Sequence, residues 1–252
     1  MKWLTFFFPF ALLKQVFGFA LNSLESLMGK GQYKDLALLM VAFVAGFFVY
    51  TPIHELLHAG AALLFGGTVE ELAISPEYGG ALLAKVFPFV VTESEYAGQL
   101  SGFSVPNYWA YAGVDWAPYL LSLPGIALIA KAVQKQKTGL GGLGFLLAFI
   151  PVTQFSGDFF EMWSLIFTQI HEALDPALAP GAFVSDDAFK LFGALQENGT
   201  LGFRTAGLWL LNLLLGLYTS IWLLSIQWRL ARFFMPDFPP FRIKTTEATA
   251  VS

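Results

Sequence analysis

Two histidines and a carboxylate at helical spacing are the residues of this 252-residue chain whose arrangement indicates chemistry. His54 and His58 are four positions apart, so on a helix their imidazoles lie one above the other and can bind the same metal ion. Glu55 follows His54 by one position and could reach a water molecule on that ion. A random H-E-x-x-H is expected only roughly 0.002 times in a chain of this composition. Because the chain has no cysteine, the ligands must be His, Asp or Glu, a set suited to zinc (Zn²⁺).

A catalytic zinc ion needs a third protein ligand and an open position for water. Asp158 is the first candidate, because it interrupts an apolar run far from the histidines and follows Gln154-Phe-Ser-Gly157, where the backbone can bend. The structural alternative for Asp158 is a helix N-cap, since Glu161 follows three positions later. Glu161 is also the rival ligand. His171, the third histidine, is expected to be an ordinary residue at the membrane interface.

The elements that must position these residues are membrane helices. Only 13% of the residues are charged and 56% are hydrophobic, whereas a soluble domain carries about 25% charged residues. Leu36 to Ile53 contains no charge at all. An ionisable side chain at membrane depth costs about 2.5–3.5 kcal/mol, so Glu55 is expected to have a functional reason to be there. We predict an all-α polytopic membrane protein with four to six transmembrane helices and a small membrane-associated β segment after the H-E-x-x-H helix.

Four apolar stretches predict the clearest spans: about Asp35–Phe65, Tyr108 or Trp116 to Ala130, Thr138–Gly157 continuing to Ile170, and Thr205–Trp228. Gly66-Gly67 is a suitable stop for the first of them. Asp115, Pro118 and Pro124 disturb the second span, and Pro151 and Ser156-Gly157 predict a kink or break in the third. Between the first and second spans, β-forming residues at Val69–Ile74 and Ala84–Thr92 predict short strands.

The chain is predicted to be a single membrane domain over residues 1–252. Its parts are a short or amphipathic N-terminal helix (1–34), a catalytic core (35–170), an acidic loop (171–202), the last transmembrane helix (203–232) and a polar, disordered tail (233–252). Basic residues near the span ends place the C-terminus in the cytoplasm and the His54 end of its helix outside, and we expect the cell membrane as the location. No basic cluster with interleaved aromatics indicates a nucleic-acid partner, and no pattern indicates an oligomeric state.

The motif and the residues after it resemble a known family. His54-Glu55-Leu-Leu-His58 at the end of a membrane helix, followed by Ala61-Ala-Leu-Leu-Phe-Gly-Gly67, is similar to the site-2 protease family of intramembrane zinc metalloproteases. That family has an aspartate ligand on its third core helix, which the resemblance places at Asp158, and membrane-associated strands that would correspond to Thr68–Pro106. Two features differ: Asp158 follows a glycine instead of preceding one, and the family's nearby asparagine–proline is absent. The family's zinc usually lies nearer the cytosol, opposite to the side that the charges indicate.

The resemblance implies hydrolysis of peptide bonds within transmembrane segments of membrane-protein substrates in the lipid bilayer. His54, His58 and Asp158 would hold Zn²⁺, and Glu55 would act as the general base. The substrate would unwind and pair with an edge strand within Val69–Val91. Two alternatives stay open. One is a metal-dependent membrane hydrolase acting on a lipid or small molecule. The other is a non-catalytic metal-binding scaffold or transporter, in which Glu55 could be replaced without consequence.

Overall fold

The computed structural model describes residues 10–29, 32–94, 96–174, 184–197, 199 and 202–240. The helices within these ranges are α1 (Phe10–Met28), α2 (Gln32–Leu64), α3 (Gly80–Leu83), α4 (Tyr108–Trp116), α5 (Gly125–Lys135), α6 (Thr138–Thr153), α7 (Asp158–Leu174), α8 (Ala188–Glu197) and α9 (Phe203–Phe234). The strands are β1 (Thr68–Ile74), β2 (Val90–Val91) and β3 (Gly98–Ser104). Short 3₁₀ helices span Pro76–Tyr78 and Ala117–Ser122.

Four helical stretches of the described ranges are long and apolar enough to cross a membrane, by length and composition: Tyr33–Leu64, Tyr108–Lys135, Thr138–Ile170 and Phe203–Phe234. The second combines α4, a 3₁₀ helix and α5, and the third combines α6 and α7. With the small sheet that follows α2, these spans confirm the predicted fold class. The protein is a multi-pass, mainly helical membrane protein.

The second and third spans are interrupted where the sequence predicted a disturbance. α4 gives way to the 3₁₀ helix at Ala117, next to Pro118, which has no N–H to donate. α6 contains Pro151 and ends two residues later, and a turn over residues 154–157 leads into α7. The two interruptions lie beside each other, because Tyr119 in the first contacts Asp158 directly after the second. The breaks therefore bring polar groups together inside a bundle of apolar helices.

α2 ends at the two glycines, as predicted. Gly66 has a φ of 81°, and its N–H donates to the carbonyl of Leu63, while Gly67 N–H donates to Ala62. This is the Schellman pattern, in which a glycine at positive φ satisfies the last carbonyls of a helix. The chain then reverses into β1 beside the end of α2.

The sheet has the strand order β2-β1-β3, with β1 parallel to β2 and antiparallel to β3. The strand predicted at Val69–Ile74 is confirmed as β1. The strand predicted at Ala84–Thr92 is wrong over most of its length, because turns occupy this stretch and only Val90–Val91 is extended. β3 was not predicted as a strand, since two glycines and two serines among its seven residues have low β propensity. Backbone pairing with β1 stabilises β3 as a strand despite this low propensity.

The sheet runs back along α2 towards the middle of the helix. Leu72 and Ile74 of β1 share a core cluster with Ala59, and the Tyr78 ring stacks on Phe48 with centroids 4.8 Å apart. Phe48 precedes the end of α2 at Leu64 by 16 residues, which corresponds to about 24 Å along a helix. The β segment is therefore re-entrant along the first span, and it covers the half of α2 that carries the histidines.

The largest apolar cluster joins α1, α5, α6 and α9: Val16, Phe19, Ile126, Ile129, Ala148, Leu224, Trp228 and Ala231 are among its buried members. Small residues allow α6 to approach both α5 and α2 closely. A Cβ on Gly125 would lie 2.4 Å from the Ala148 nitrogen, and one on Gly142 would lie 2.3 Å from the Leu39 carbonyl oxygen. Glycine contacts of this kind are typical of membrane helix packing.

Two predicted segment boundaries need correction. α7 continues to Leu174, and the stretch predicted as an acidic loop contains α8, which packs its Leu191 and Leu195 against Phe160. Hydrophobic residues at helical spacing within an otherwise acidic segment account for this helix. The tail from 241 onwards and residues 1–9 lie outside the described residues, as does the side chain of His171.

Candidate metal centre

Three ligand-type atoms converge where α2 meets the start of α7. The Nε2 atoms of His54 and His58 are 3.0 Å apart, as their four-residue spacing on α2 predicts. The Oδ2 atom of Asp158 lies 3.3 Å from the first Nε2 and 3.7 Å from the second. Both histidines are buried. Among the described residues, these three side chains form the group that could hold a metal ion.

The spacing of these atoms fits a tetrahedral zinc ion. Zinc bonds of about 2.0–2.2 Å at tetrahedral angles place neighbouring ligand atoms about 3.3 Å from one another. The three separations, 3.0, 3.3 and 3.7 Å, lie around that value. Two imidazoles and one carboxylate are also a donor set that zinc accepts, and they leave one position for a fourth ligand. The residues present therefore fit a divalent metal ion of the size of zinc.

Hydrogen bonds outside the group orient all three ligands. The carbonyl of Val114 lies 2.9 Å from His58 Nδ1, and because a carbonyl only accepts, Nδ1 carries a proton and Nε2 is the atom directed towards the other ligands. The Tyr50 hydroxyl lies 2.9 Å from His54 Nδ1 and can hold that ring in the same way. The Tyr119 hydroxyl donates to Asp158 Oδ2 over 2.5 Å. Such outer contacts commonly fix the tautomer and direction of metal ligands.

Asp158 lies directly after the turn that separates α6 from α7. It is the first residue of α7, where the N-terminal end of the helix favours a carboxylate. Its carboxylate contacts the two histidines and Tyr119, so these contacts, rather than an N-cap bond, account for its orientation. Glu161 lies one turn later and accepts a hydrogen bond from the Tyr111 hydroxyl over 2.8 Å. Asp158, not its rival Glu161, is the carboxylate that meets both histidines.

Glu55 lies against strand β3. It is buried, and the backbone of Leu100 donates a hydrogen bond to its carboxylate. Gly98, the first residue of β3, passes so close that a Cβ at this position would lie 2.5 Å from Glu55 Cγ. The edge strand and the carboxylate are thus in direct contact. Only glycine permits this approach without displacing one of them.

A cavity of about 520 Å³ connects these groups. Its lining includes the three ligands, Glu55 and the first part of β3. Gln154 and Asp115 are further polar residues of its lining. The cavity therefore brings polar and ionisable side chains together with apolar ones between the helices.

The N-terminal end of α8 forms one wall of this cavity. Lys190 donates a hydrogen bond to Asp186 over 2.7 Å, and its ammonium lies 5.6 Å from the centroid of the Tyr96 ring. The hydrogen bond to Asp186 raises the pKa of Lys190 above its ordinary value. These contacts connect α8 to the loop that precedes β3. The predicted acidic loop thus contributes a structured part of the cavity.

Sequence reasoning missed several groups around the metal ligands. Tyr50 precedes His54 by four residues, so helical spacing on α2 could have identified it. Tyr119 and the Val114 carbonyl belong to a different span, and no spacing rule connects them to the histidines. Gly98 and Leu100 were inside the predicted β region but outside its predicted strands.

Comparisons of the chain with protein-family models, with curated proteins and with solved structures give no match. The possible metal site therefore depends on the geometry of His54, His58 and Asp158 alone.

Proposed function

We propose that this protein is a zinc-dependent intramembrane endopeptidase that cleaves transmembrane segments of other membrane proteins. The observation that carries the proposal is the convergence of His54 Nε2, His58 Nε2 and Asp158 Oδ2 in a cavity that also contains Glu55 and an edge strand. A metal site alone would be compatible with storage or transport. A carboxylate positioned beside both the metal ligands and an extended backbone is what hydrolysis of a peptide requires.

His54, His58 and Asp158 would hold the zinc ion, which supplies a Lewis acid that polarises the scissile carbonyl and makes water more acidic. Tyr50, the Val114 carbonyl and Tyr119 hold these three side chains in place through the hydrogen bonds described above.

Glu55 would transfer a proton from water to the leaving group. It accepts a proton from the attacking water and donates it to the nitrogen of the leaving amine, so that water and the peptide bond become a carboxylic acid and an amine. The N–H of Leu100 donates to the Glu55 carboxylate and limits the directions in which it can point. This contact keeps the base beside β3, where an extended substrate would lie.

The outer edge of β3 is the surface on which the substrate would bind. The sequence suggested an edge strand within Val69–Val91. In the sheet, β1 is the central strand, and β2, which is an edge strand within that range, lies on the side of β1 away from β3. β3 is the edge strand whose first residues line the cavity. A substrate segment that unwinds and pairs with β3 would satisfy its own backbone groups inside the membrane. It would also bring its carbonyls towards the metal ligands.

The decisive experiment compares the wild-type protein with Glu55→Gln in detergent micelles. Zinc content is measured by mass spectrometry, and cleavage is measured on a library of hydrophobic transmembrane peptides. We expect both proteins to bind about one zinc ion, and the Gln variant to cleave about 10²–10⁴-fold more slowly.

Equal cleavage by the two proteins would contradict the role of Glu55. The alternative substrate class is tested in parallel with a mixture of membrane lipids. Released lipid fragments together with intact peptides would replace the peptidase proposal with a lipid hydrolase. Zinc binding without turnover of either substrate, in the wild-type protein and in Glu55→Gln alike, would favour a metal-binding scaffold or transporter.

A further inference from the structure

The cavity contains a second pair of carboxylates, Asp115 and Glu161, that the proposed hydrolysis does not use. Asp115 is on α4, directly after Val114, whose carbonyl orients His58. Glu161 is on α7, one helical turn after Asp158. Both line the cavity, and they are close enough to influence each other electrostatically. The pair therefore lies beside the candidate metal ligands, on the two helices that supply Asp158 and support His58.

Asp115 has an unpaired carboxylate oxygen, whereas Glu161 has a hydrogen-bond partner. Its side chain is only 3% exposed, and its Oδ2 atom has no hydrogen-bond partner. Buried polar atoms nearly always have a partner, and a buried carboxylate without one is costly. Glu161, by contrast, uses Oε1 to accept from Tyr111. A carboxylate that is buried but faces a cavity is suited to a ligand that enters the cavity and donates hydrogen bonds.

The charged residues around the cavity indicate the sign of the charge that such a ligand would carry. Six carboxylates line it: Glu55, Asp115, Asp158, Glu161, Asp186 and Asp187. Lys190 is the one lysine or arginine among the described lining residues, and Asp186 already pairs with it. Together, Lys190 and a bound divalent ion would offset three of the six formal negative charges. The cavity therefore favours a cationic ligand.

A second metal ion fits this pair less well than an organic cation does. In the described residues, the compact group of metal-ligand atoms consists of His54, His58 and Asp158, and it does not extend to Asp115 or Glu161. A bare ion needs its ligands within a few ångströms of one another. A guanidinium or ammonium group on a long side chain can instead donate several hydrogen bonds to carboxylates that are further apart.

We propose that Asp115 and Glu161 form a subsite for an arginine or lysine side chain of the substrate, close to the cleaved bond. The inference rests on the proposed peptidase function and specifies its substrate. Glu161 follows Asp158 by one turn, about 5 Å along α7. An extended peptide advances about 3.3 Å per residue, so the basic residue belongs within about two positions of the scissile bond. A transmembrane segment with a basic residue near its cleaved bond is the expected substrate.

The test uses peptides that differ in one charged group. A hydrophobic peptide is synthesised with arginine, or with its neutral isostere citrulline, at each of the two positions before and after the scissile bond. Binding is measured by fluorescence polarisation to zinc-loaded Glu55→Gln, and cleavage is measured with the wild-type protein. At one position, we expect the arginine peptide to bind and to be cleaved about tenfold better than the citrulline peptide, as for a charge-assisted hydrogen bond.

The two readouts separate this inference from the peptidase proposal. Tighter binding of the arginine peptide to Glu55→Gln without any cleavage by the wild-type protein would support the subsite and contradict the peptidase. Cleavage that is equal for arginine and citrulline at all four positions would support the peptidase and overturn the subsite. Because this comparison uses pairs of peptides, it does not depend on whether a subsite variant folds.

A substitution of Asp115 then tests whether this carboxylate causes the preference for arginine over citrulline. Asp115→Asn keeps the shape of the side chain and removes its charge, and we expect it to bring the arginine-to-citrulline ratio close to one. The matched control is Asp237→Asn, which removes the charge of an exposed carboxylate beyond α9 and should retain the wild-type ratio. A ratio unchanged by Asp115→Asn, with zinc content retained, would overturn the assignment.

Discussion

The two halves of α2 belong to one continuous helix but differ in what covers them. The first half exposes apolar side chains such as Leu38, Val41 and Val44. Only 17% of the apolar window of this span is buried, compared with 44–50% in the other three. The second half carries His54 and His58, which are buried together with Glu55 beneath β3, α4 and α7.

The comparison shows that apolarity and burial are separate properties in this protein. The span that contains α2 has the highest mean hydropathy of the four, 2.2, and most of that apolar window is not buried inside the protein. The second half contains the polar residues and needs the re-entrant sheet and the two interrupted spans to cover it. Substitutions in the second half are therefore expected to affect the metal and the reaction, whereas conservative changes in the first half should affect neither.

The largest effect is expected from the third ligand. Asp158→Asn should reduce zinc affinity more than the roughly 10–100-fold that is typical of changes outside the ligand set, and cleavage should fall with it. The measurement is zinc content after dialysis against a graded chelator, with peptide cleavage in the same samples. Glu161→Gln is the matched control and should retain its zinc. Loss of zinc in the control but not in Asp158→Asn would exchange the roles of the two carboxylates.

The next effect concerns the contact between β3 and the base. Gly98→Ala adds a Cβ that would lie 2.5 Å from Glu55 Cγ, so either the strand or the carboxylate must move. Because a displacement of about 1 Å can reduce a rate about 10²-fold, we expect a loss of up to that size with zinc retained. Gly60→Ala is the control, since a Cβ there meets nothing within 4 Å. Equal rates for the two variants would show that the β3 contact does not position Glu55.

A smaller effect is expected from the hydroxyl that orients Asp158. Tyr119→Phe removes the hydrogen bond to Oδ2 and should lower zinc affinity about 10–100-fold, since it leaves the ligand in place but less well oriented. Competition with a zinc-sensitive dye measures the affinity. Tyr111→Phe removes a hydroxyl from Glu161 in the same cavity, and its zinc affinity should change less. The reverse order would imply that Tyr119 has no orienting role.

The smallest effect is expected in the exposed half of α2. Val41 is 63% exposed, so Val41→Ala should change stability by no more than about 0.5 kcal/mol and zinc affinity by no more than roughly twofold. Thermal unfolding in detergent and the dye competition measure the two quantities. A large loss of zinc in this variant would mean that the two halves of α2 are coupled, and the distinction between them would not hold.

Much of the architecture could be predicted because its signals are local. The four spans follow from apolar runs, and the end of α2 follows from Gly66-Gly67. The breaks in the second and third spans follow from prolines and a serine–glycine pair. β3 and α8 could not be found in this way. β3 has a poor strand sequence and depends on pairing with β1, and α8 is a short helix within a segment whose composition resembles a loop.

By itself, the sequence determined that His54, Glu55 and His58 share one region of a membrane helix, because helical periodicity fixes the relation between residues four apart. The tertiary structure decided which distant carboxylate meets the two histidines, which tyrosine holds it, and which strand lies against Glu55. These relations join residues about 40 to 100 positions apart, and no periodicity extends over such a separation. They arise only when the interrupted spans and the re-entrant sheet pack around the second half of α2.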